Sequence, residues 1–198
     1  MNTLSASERL LEPTLPPAPS QADHGAQDYW LYCLPCHGEK GQGLTEEFRQ
    51  TYPPEETNCW QSGCHGNNPY QYGFKLPTKV PAVIGNETLG KFSDAAQLHS
   101  YIRAAMPFWN PGSLSDEESW RITAFLLREN HLRSDSAELN DSNAADVKIL
   151  RIAFLTPDAI PVPVGAQDQN DTWLWLSLGV ALLLILAIFI LNRRRIKP

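Results

Sequence analysis

The longest apolar run in the chain comes near its end. From Trp173 to Leu191, WLWLSLGVALLLILAIFIL passes nineteen residues without a charge. That is about the length a helix needs to cross the roughly 30 Å hydrocarbon core of a bilayer. Trp173 and Trp175 stand at its front edge, where amphipathic rings favour the headgroup level, and Arg193, Arg194, Arg195 and Lys197 follow its back edge. The positive-inside rule then assigns the C-terminus to the cytoplasm and everything before residue 172 to the outer side of the membrane. A buried core helix is a poor alternative for so long an uninterrupted run beside a basic cluster, so the pattern predicts a transmembrane helix over 173–191 and a basic tail over 192–198.

Upstream the apolar residues recur at helical spacing instead of in a block. In SLSDEESWRITAFLLREN, Ser115 is a good N-cap, Glu118 completes a capping box, and Trp120, Ala124 and Leu127 share a face, which predicts a helix from about Asp116 to Asn130. In SDAAQLHSYIRAAM, Ser93 is placed to cap, and Leu98, Ile102 and Ala105 fall on one side. That helix, from about Ser93 to Ala105, stops at the Met106-Pro107 step, because proline disfavours helical geometry in the residue before it. A first helix is predicted from about Ala26 to Cys36, with Tyr29, Trp30 and Tyr32 as its aromatic surface. These pieces make a small all-α domain with long loops.

Residues 1–25 are rich in Pro, Ser and Ala and read as a mobile arm. Residues 26–131 hold most of the aromatics and all four cysteines, and form the expected domain. LRSDSAELNDSNAAD, residues 132–146, reads as a polar linker. VKILRIAFLTPDAIPVPVG follows, as a short strand or a juxtamembrane segment, so that 132–172 joins domain to membrane span. The first twenty residues lack the apolar h-region of an export signal. Either the chain starts further upstream, or the span itself drives translocation of what precedes it.

At 198 residues and 42% hydrophobic content, one sizeable core is expected. The formal net charge of −6 provides no basic face for nucleic acid. The cysteines change the picture more, because all four lie in two clusters, Cys33 with Cys36 and Cys59 with Cys64. None is left for ordinary core packing, and this placement points to metal or cofactor chemistry.

Cys-x-x-Cys-His at 33–37 has the spacing for covalent attachment of a c-type haem. On one helical turn the two thiols reach two vinyl groups on one edge of the macrocycle, and His37 comes beneath the iron as proximal ligand. Apart from Met1 the only methionine is Met106, in RAAMPFWNPG, between the last two helices. A thioether opposite histidine favours ferrous iron, raises the potential and closes the sixth position, which implies electron transfer instead of substrate chemistry.

With a helix running into CLPCHG, a late MP and a terminal helix bearing Trp120 and Phe125, residues 26–131 resemble a class I cytochrome c domain. The resemblance implies that the first and last helices cross, with the haem in a cleft below them and one edge exposed to docking partners. It implies Cys33 and Cys36 as thioether anchors, His37 as proximal ligand and Met106 as distal ligand.

The second cluster, CWQSGCHG, departs from that pattern, with four residues between its cysteines. Two readings stay open: a second haem held by Cys59, Cys64 and His65, or a Cys59–Cys64 disulfide pinning a loop. A second iron would lack a methionine and would draw on His24, His99 or His131, or stay five-coordinate. Two rivals use the cysteines otherwise. One is a redox dithiol at Cys33 and Cys36, which lacks the strand expected before it. The other is a four-cysteine zinc centre in an interaction module, which does not require the His-Gly that follows each pair.

The expected protein is thus a membrane-anchored cytochrome, not an enzyme, carrying haem c and passing single electrons at the extracytoplasmic face. Its partners are redox proteins, in a respiratory or photosynthetic membrane complex. An electron-accepting subunit of a membrane dehydrogenase is the alternative. Between 26 and 131, twelve acidic and eight basic residues give a mild bias toward basic partners.

Overall fold

Capping chemistry sets where the helices start. In a computed structural model, which describes residues 5–134 and 137–149, Ser20 and Asp23 form a reciprocal capping box. The Ser20 hydroxyl accepts from the Asp23 N–H (3.2 Å) and the Asp23 carboxylate accepts from the Ser20 N–H (2.8 Å). Helix formation therefore begins at residue 21, ahead of the apolar pattern that places the start near Ala26.

The described helices, in chain order, are α1 (Ala6–Arg9), α2 (Gln21–Tyr32), α3 (Leu34–His37), α4 (Glu46–Arg49), α5 (Ala95–Ala105) and α6 (Asp116–Glu129). Single 3-10 turns lie at Pro54–Glu56 and Ala144–Asp146. The only β feature among the described residues is an isolated bridge between Asp94 and Lys148. The domain is all-α, with a long irregular stretch between α4 and α5.

Two predicted helices need correction. The helix expected from Ala26 to Cys36 is two helices, broken at Cys33, with Pro35 in the first turn of α3, where its missing N–H costs nothing. The N-cap of α5 is Asp94, which accepts from the Gln97 N–H at 3.0 Å, and the Ser93 hydroxyl donates to the same carboxylate. A carboxylate is the stronger acceptor toward the positive end of a helix. The Ser115–Glu118 capping box of α6 forms as read.

α2 and α6 pack against each other more extensively than any other helix pair described. Gly25 permits their approach, since a Cβ there would lie 2.0 Å from the Arg121 carbonyl oxygen. Around that point Tyr29 meets Phe125 (5.0 Å between ring centroids), Arg128 pairs with Asp23 at 2.8 Å, and the Tyr32 hydroxyl donates to Glu118 at 2.7 Å. α6 buries Trp120, Ile122, Phe125 and Leu127 into a core shared with Leu98 and Ile102 of α5 and with Phe48.

The packed unit also reaches beyond 26–131 on both sides. Arg9 pairs with Glu39 and Glu47, and the Trp30 indole donates to the Leu10 carbonyl at 2.8 Å. Residues expected to form a mobile arm thus line the back of the domain. In the expected linker, Leu139 and Ala144 are buried, as is Ile149 just beyond it. The Gln21 amide donates to the Leu139 carbonyl and accepts from its N–H, while Ala95 N–H bonds Val147 and Ile149 N–H bonds Ser93. Leu139, a lone apolar residue in a polar stretch, carries no signal of its burial, which depends on a groove made by distant helices. Among the described residues no helix is long and apolar enough to cross a membrane, and Trp173–Leu191 lies outside them.

Two outcomes follow. Gly25→Ala would gain up to about 1 kcal/mol of helix propensity, but the clash with a backbone carbonyl costs more, roughly 1–3 kcal/mol. A net fall of several degrees in Tm is expected by circular dichroism, and an unchanged or raised Tm would contradict the close crossing. The Asp23 carboxyl is held below its usual range, first by the Ser20 N–H and then by Arg128. Its stabilisation is therefore present above the ordinary carboxylate pKa of about 4 and disappears as pH falls through the lowered value. Asp23→Asn should cost about 0.5–1 kcal/mol at neutral pH and nothing in strong acid, as read by urea unfolding at both.

Candidate haem centre

α2 delivers the first cysteine pair and the turn of α3 shapes it. The Cys33 carbonyl accepts from both Cys36 N–H (3.1 Å) and His37 N–H (2.8 Å), so the five residues from Cys33 to His37 close into one turn. The buried Tyr29 hydroxyl donates to the Gly38 carbonyl at 2.8 Å and pins the chain as it leaves that turn. Burial raises the pKa of that phenol well above its ordinary value.

The imidazole of His37 is fixed from the far side. Its Nδ1 lies 2.9 Å from the Pro81 carbonyl oxygen. A carbonyl only accepts, so Nδ1 carries the proton and the lone pair is on Nε2. Burial lowers the His37 pKa and keeps the ring neutral. A neutral imidazole oriented through its second nitrogen is what a metal-ligating histidine requires.

All four cysteines are unpaired and half-buried. Burial pushes the Cys33 thiol up to about 12 and raises Cys36 and Cys59 as well. Among the described residues, moreover, no three His, Cys, Asp or Glu side chains converge as a metal-binding group. The four-cysteine zinc centre is therefore not formed.

Cys36, Cys59, Cys64 and His65 line one cavity of about 590 Å³, walled by Leu31, Leu44, Tyr52, Phe74, Leu76 and Trp109. Cysteines on a helical turn and an oriented neutral imidazole fit a covalently bound haem at the first cluster, of which only Cys36 lines this cavity; Cys33, His37 and Met106 do not. Met106 is half-buried at the C-cap of α5, packed against the core, three residues before Trp109 of the cavity wall. Of the other histidines, His99 is buried between α5 and α6, stacked on Trp120 at 3.5 Å between centroids and 3.6 Å from Asp116. It is neither on the surface nor at the cavity. His24 on α2 and the exposed His131 do not line it either.

Sequence reasoning missed the groups that orient the histidines. Pro81 and Phe74 act through backbone carbonyls, the latter 3.2 Å from His65 Nδ1, and a carbonyl leaves no mark in the sequence. The only usable signal was the run of loop residues between the two clusters and α5, long enough to fold back over both.

A helical domain with a Cys-x-x-Cys-His turn, a helix that enters this turn packed closely on α6, and an apolar cavity at the second cysteine is a c-type cytochrome domain. The model of the family described as cytochrome c oxidase, cbb3-type, subunit III matches residues 20–126, just over half of the chain, and the chain belongs to that family. Its cofactor is haem c, and its work is electron transfer. The thiosulfate dehydrogenase of Stutzerimonas stutzeri is 23% identical over 128 residues, 63% of this chain and 32% of that protein. The thiosulfate dehydrogenase of Allochromatium vinosum is 29% identical over 105 residues, 52% of this chain and 30% of that protein. The chain thus spans about a third of the length of these curated relatives. The sulfane dehydrogenase SoxCD from Paracoccus pantotrophus superimposes with a TM-score of 0.38 and 19% identity, over 75% of this chain and 66% of that one.

Replacing Cys33 and Cys36 together by alanine should remove covalent haem from this turn. The check is haem-stained denaturing electrophoresis with tryptic mapping: a haem-bearing peptide containing residues 33–37 in the native chain, and none there in the variant.

Proposed function

We propose that the chain is a membrane-anchored carrier of single electrons at the extracytoplasmic face, with haem iron ligated by His37 and Met106. The observation that carries this reading is the 2.9 Å contact between His37 Nδ1 and the Pro81 carbonyl, which leaves Nε2 as a free donor. When bound, haem c supplies an iron that takes up and gives back one electron.

The residues of the chain do the rest. Cys33 and Cys36 would hold the haem as thioethers, and the Pro81 carbonyl keeps the His37 imidazole from turning. Met106, at the C-cap of α5, offers a soft sulfur that would favour the ferrous state and, as a ligand, would leave no position for substrate. The Trp173–Leu191 run, with its basic flank, provides the anchor and the orientation. Phe108 and Trp109, 46% and 51% exposed and next to Met106 in the chain, provide apolar surface for a redox partner.

A second reading draws support from the relatives, two of which are named dehydrogenases. In it the chain is the electron-accepting part of a larger dehydrogenase assembly, and its partner supplies the substrate chemistry. Solubilisation in mild detergent followed by affinity capture separates the two: a stoichiometric catalytic chain favours the subunit, and its absence the tethered carrier.

Met106→Ala should lower the reduction potential by on the order of 0.1 V, a fraction of the roughly 0.8 V that axial ligands span. It should also add one carbon monoxide per chain to whatever the native reduced protein binds. If spectroelectrochemistry and carbon monoxide titration both stay unchanged, Met106 is not the ligand.

A further inference from the structure

We propose that Cys59, Cys64 and His65 form a second covalent haem attachment site, one whose lining would offer a bound iron no histidine or methionine besides His65 and so would leave room for a small ligand such as carbon monoxide. This goes beyond a single-centre carrier, and only the carbon monoxide count below rests on Met106 closing the first site.

The second cluster repeats the hydrogen bonding of the first. In each, the histidine N–H donates to the carbonyl of the first cysteine, His37 to Cys33 at 2.8 Å and His65 to Cys59 at 3.1 Å. In each, histidine Nδ1 faces a carbonyl of a downstream loop, Pro81 at 2.9 Å and Phe74 at 3.2 Å. In the neutral ring this contact puts the His65 proton on Nδ1 and the lone pair on Nε2.

Two extra residues between the cysteines do not spoil the arrangement. Gln61 N–H bonds Asn58 at 3.0 Å and Cys64 N–H bonds Gln61 at 3.1 Å. These successive turns take up the added length and bring Cys59 and Cys64 to the same cavity as His65. Its volume of about 590 Å³ falls in the range of roughly 300–1,000 Å³ for pockets that enclose small ligands.

A plain structural loop accounts for part of the motif only. Gly66 is explained by packing, because a Cβ there would lie 2.1 Å from the Trp60 carbonyl oxygen. That leaves unexplained an oriented imidazole and two unpaired thiols on one cavity wall.

Attachment balances without an outside oxidant or reductant. Each S–H adds across a vinyl C=C: a carbon–sulfur bond forms, the vinyl π bond and the S–H bond break, and the hydrogen goes to the neighbouring vinyl carbon. As for a second axial ligand, the described residues lining the cavity include no methionine and no histidine except His65. Of the first motif only Cys36 reaches this cavity; Cys33 and His37 do not line it.

The test is performed on the full chain, matured with a cytochrome c assembly system in a bacterial host. Alkaline pyridine haemochrome is measured against protein by amino-acid analysis, with intact mass after denaturing alkylation and carbon monoxide titration of the reduced protein. Two haems per chain, no alkylatable thiol and one carbon monoxide per chain are expected, with Cys59→Ser/Cys64→Ser falling to one haem and no carbon monoxide. Should that variant fail to fold, the stoichiometry of the native chain decides. One haem per chain, with Cys59 and Cys64 alkylatable or joined as a disulfide, overturns the second site and leaves the first intact. Two haems without carbon monoxide uptake overturn the open position.

Discussion

The crossing of α2 and α6 at Gly25 is the constraint on which the domain depends. Helix axes come that close only where one partner lacks a Cβ, and here the missing atom is replaced by the Arg121 carbonyl of the other helix. From that point the Tyr29–Phe125 contact, the Asp23–Arg128 pair and the Tyr32–Glu118 bond extend the seam in both directions. Since α2 runs directly into Cys33, fixing α2 on α6 also fixes the first cysteine and the turn that ends at His37. Stability and cofactor geometry thus share one interface.

Given that frame, the haem chemistry is set by what the loops contribute. The chain between α4 and α5 has little regular structure among its described residues, yet it supplies the Pro81 and Phe74 carbonyls that face the two imidazoles. Orientation from backbone suits this role, because a carbonyl neither titrates nor exchanges rotamers and so holds a neutral ring in one tautomer. The half-buried thiols of Cys33 and Cys36, held on one helical turn, complete a site that thioether attachment would fit.

The parts of this account legible in the sequence are those with short-range signals. Ser115 and Glu118 announced α6, and the first cysteine pair with its histidine announced the cofactor, because both patterns lie within five residues. Ser20 with Asp23 carried the same kind of signal for α2 and was passed over, since no apolar residue follows immediately. Leu139 was illegible, for it is a lone apolar residue whose burial depends on helices far away in the chain, while Ile149 lay in an alternating apolar stretch left open between a short strand and a juxtamembrane segment. His99 was offered as a ligand for a second iron because its stacking on Trp120, which takes it away from the cavity, depends on how α5 meets α6. The second cluster was legible as an alternative between haem and disulfide; the Phe74 carbonyl facing His65, on which the proposed second haem draws, is not displayed by sequence.

Spectroelectrochemical titration of the purified full chain tests the central claim most directly. The account predicts reversible, one-electron Soret changes, at least one of them from low-spin iron with two axial ligands. A chain without Soret absorption, or one whose iron is wholly high-spin and exchanges no electron reversibly, would contradict it.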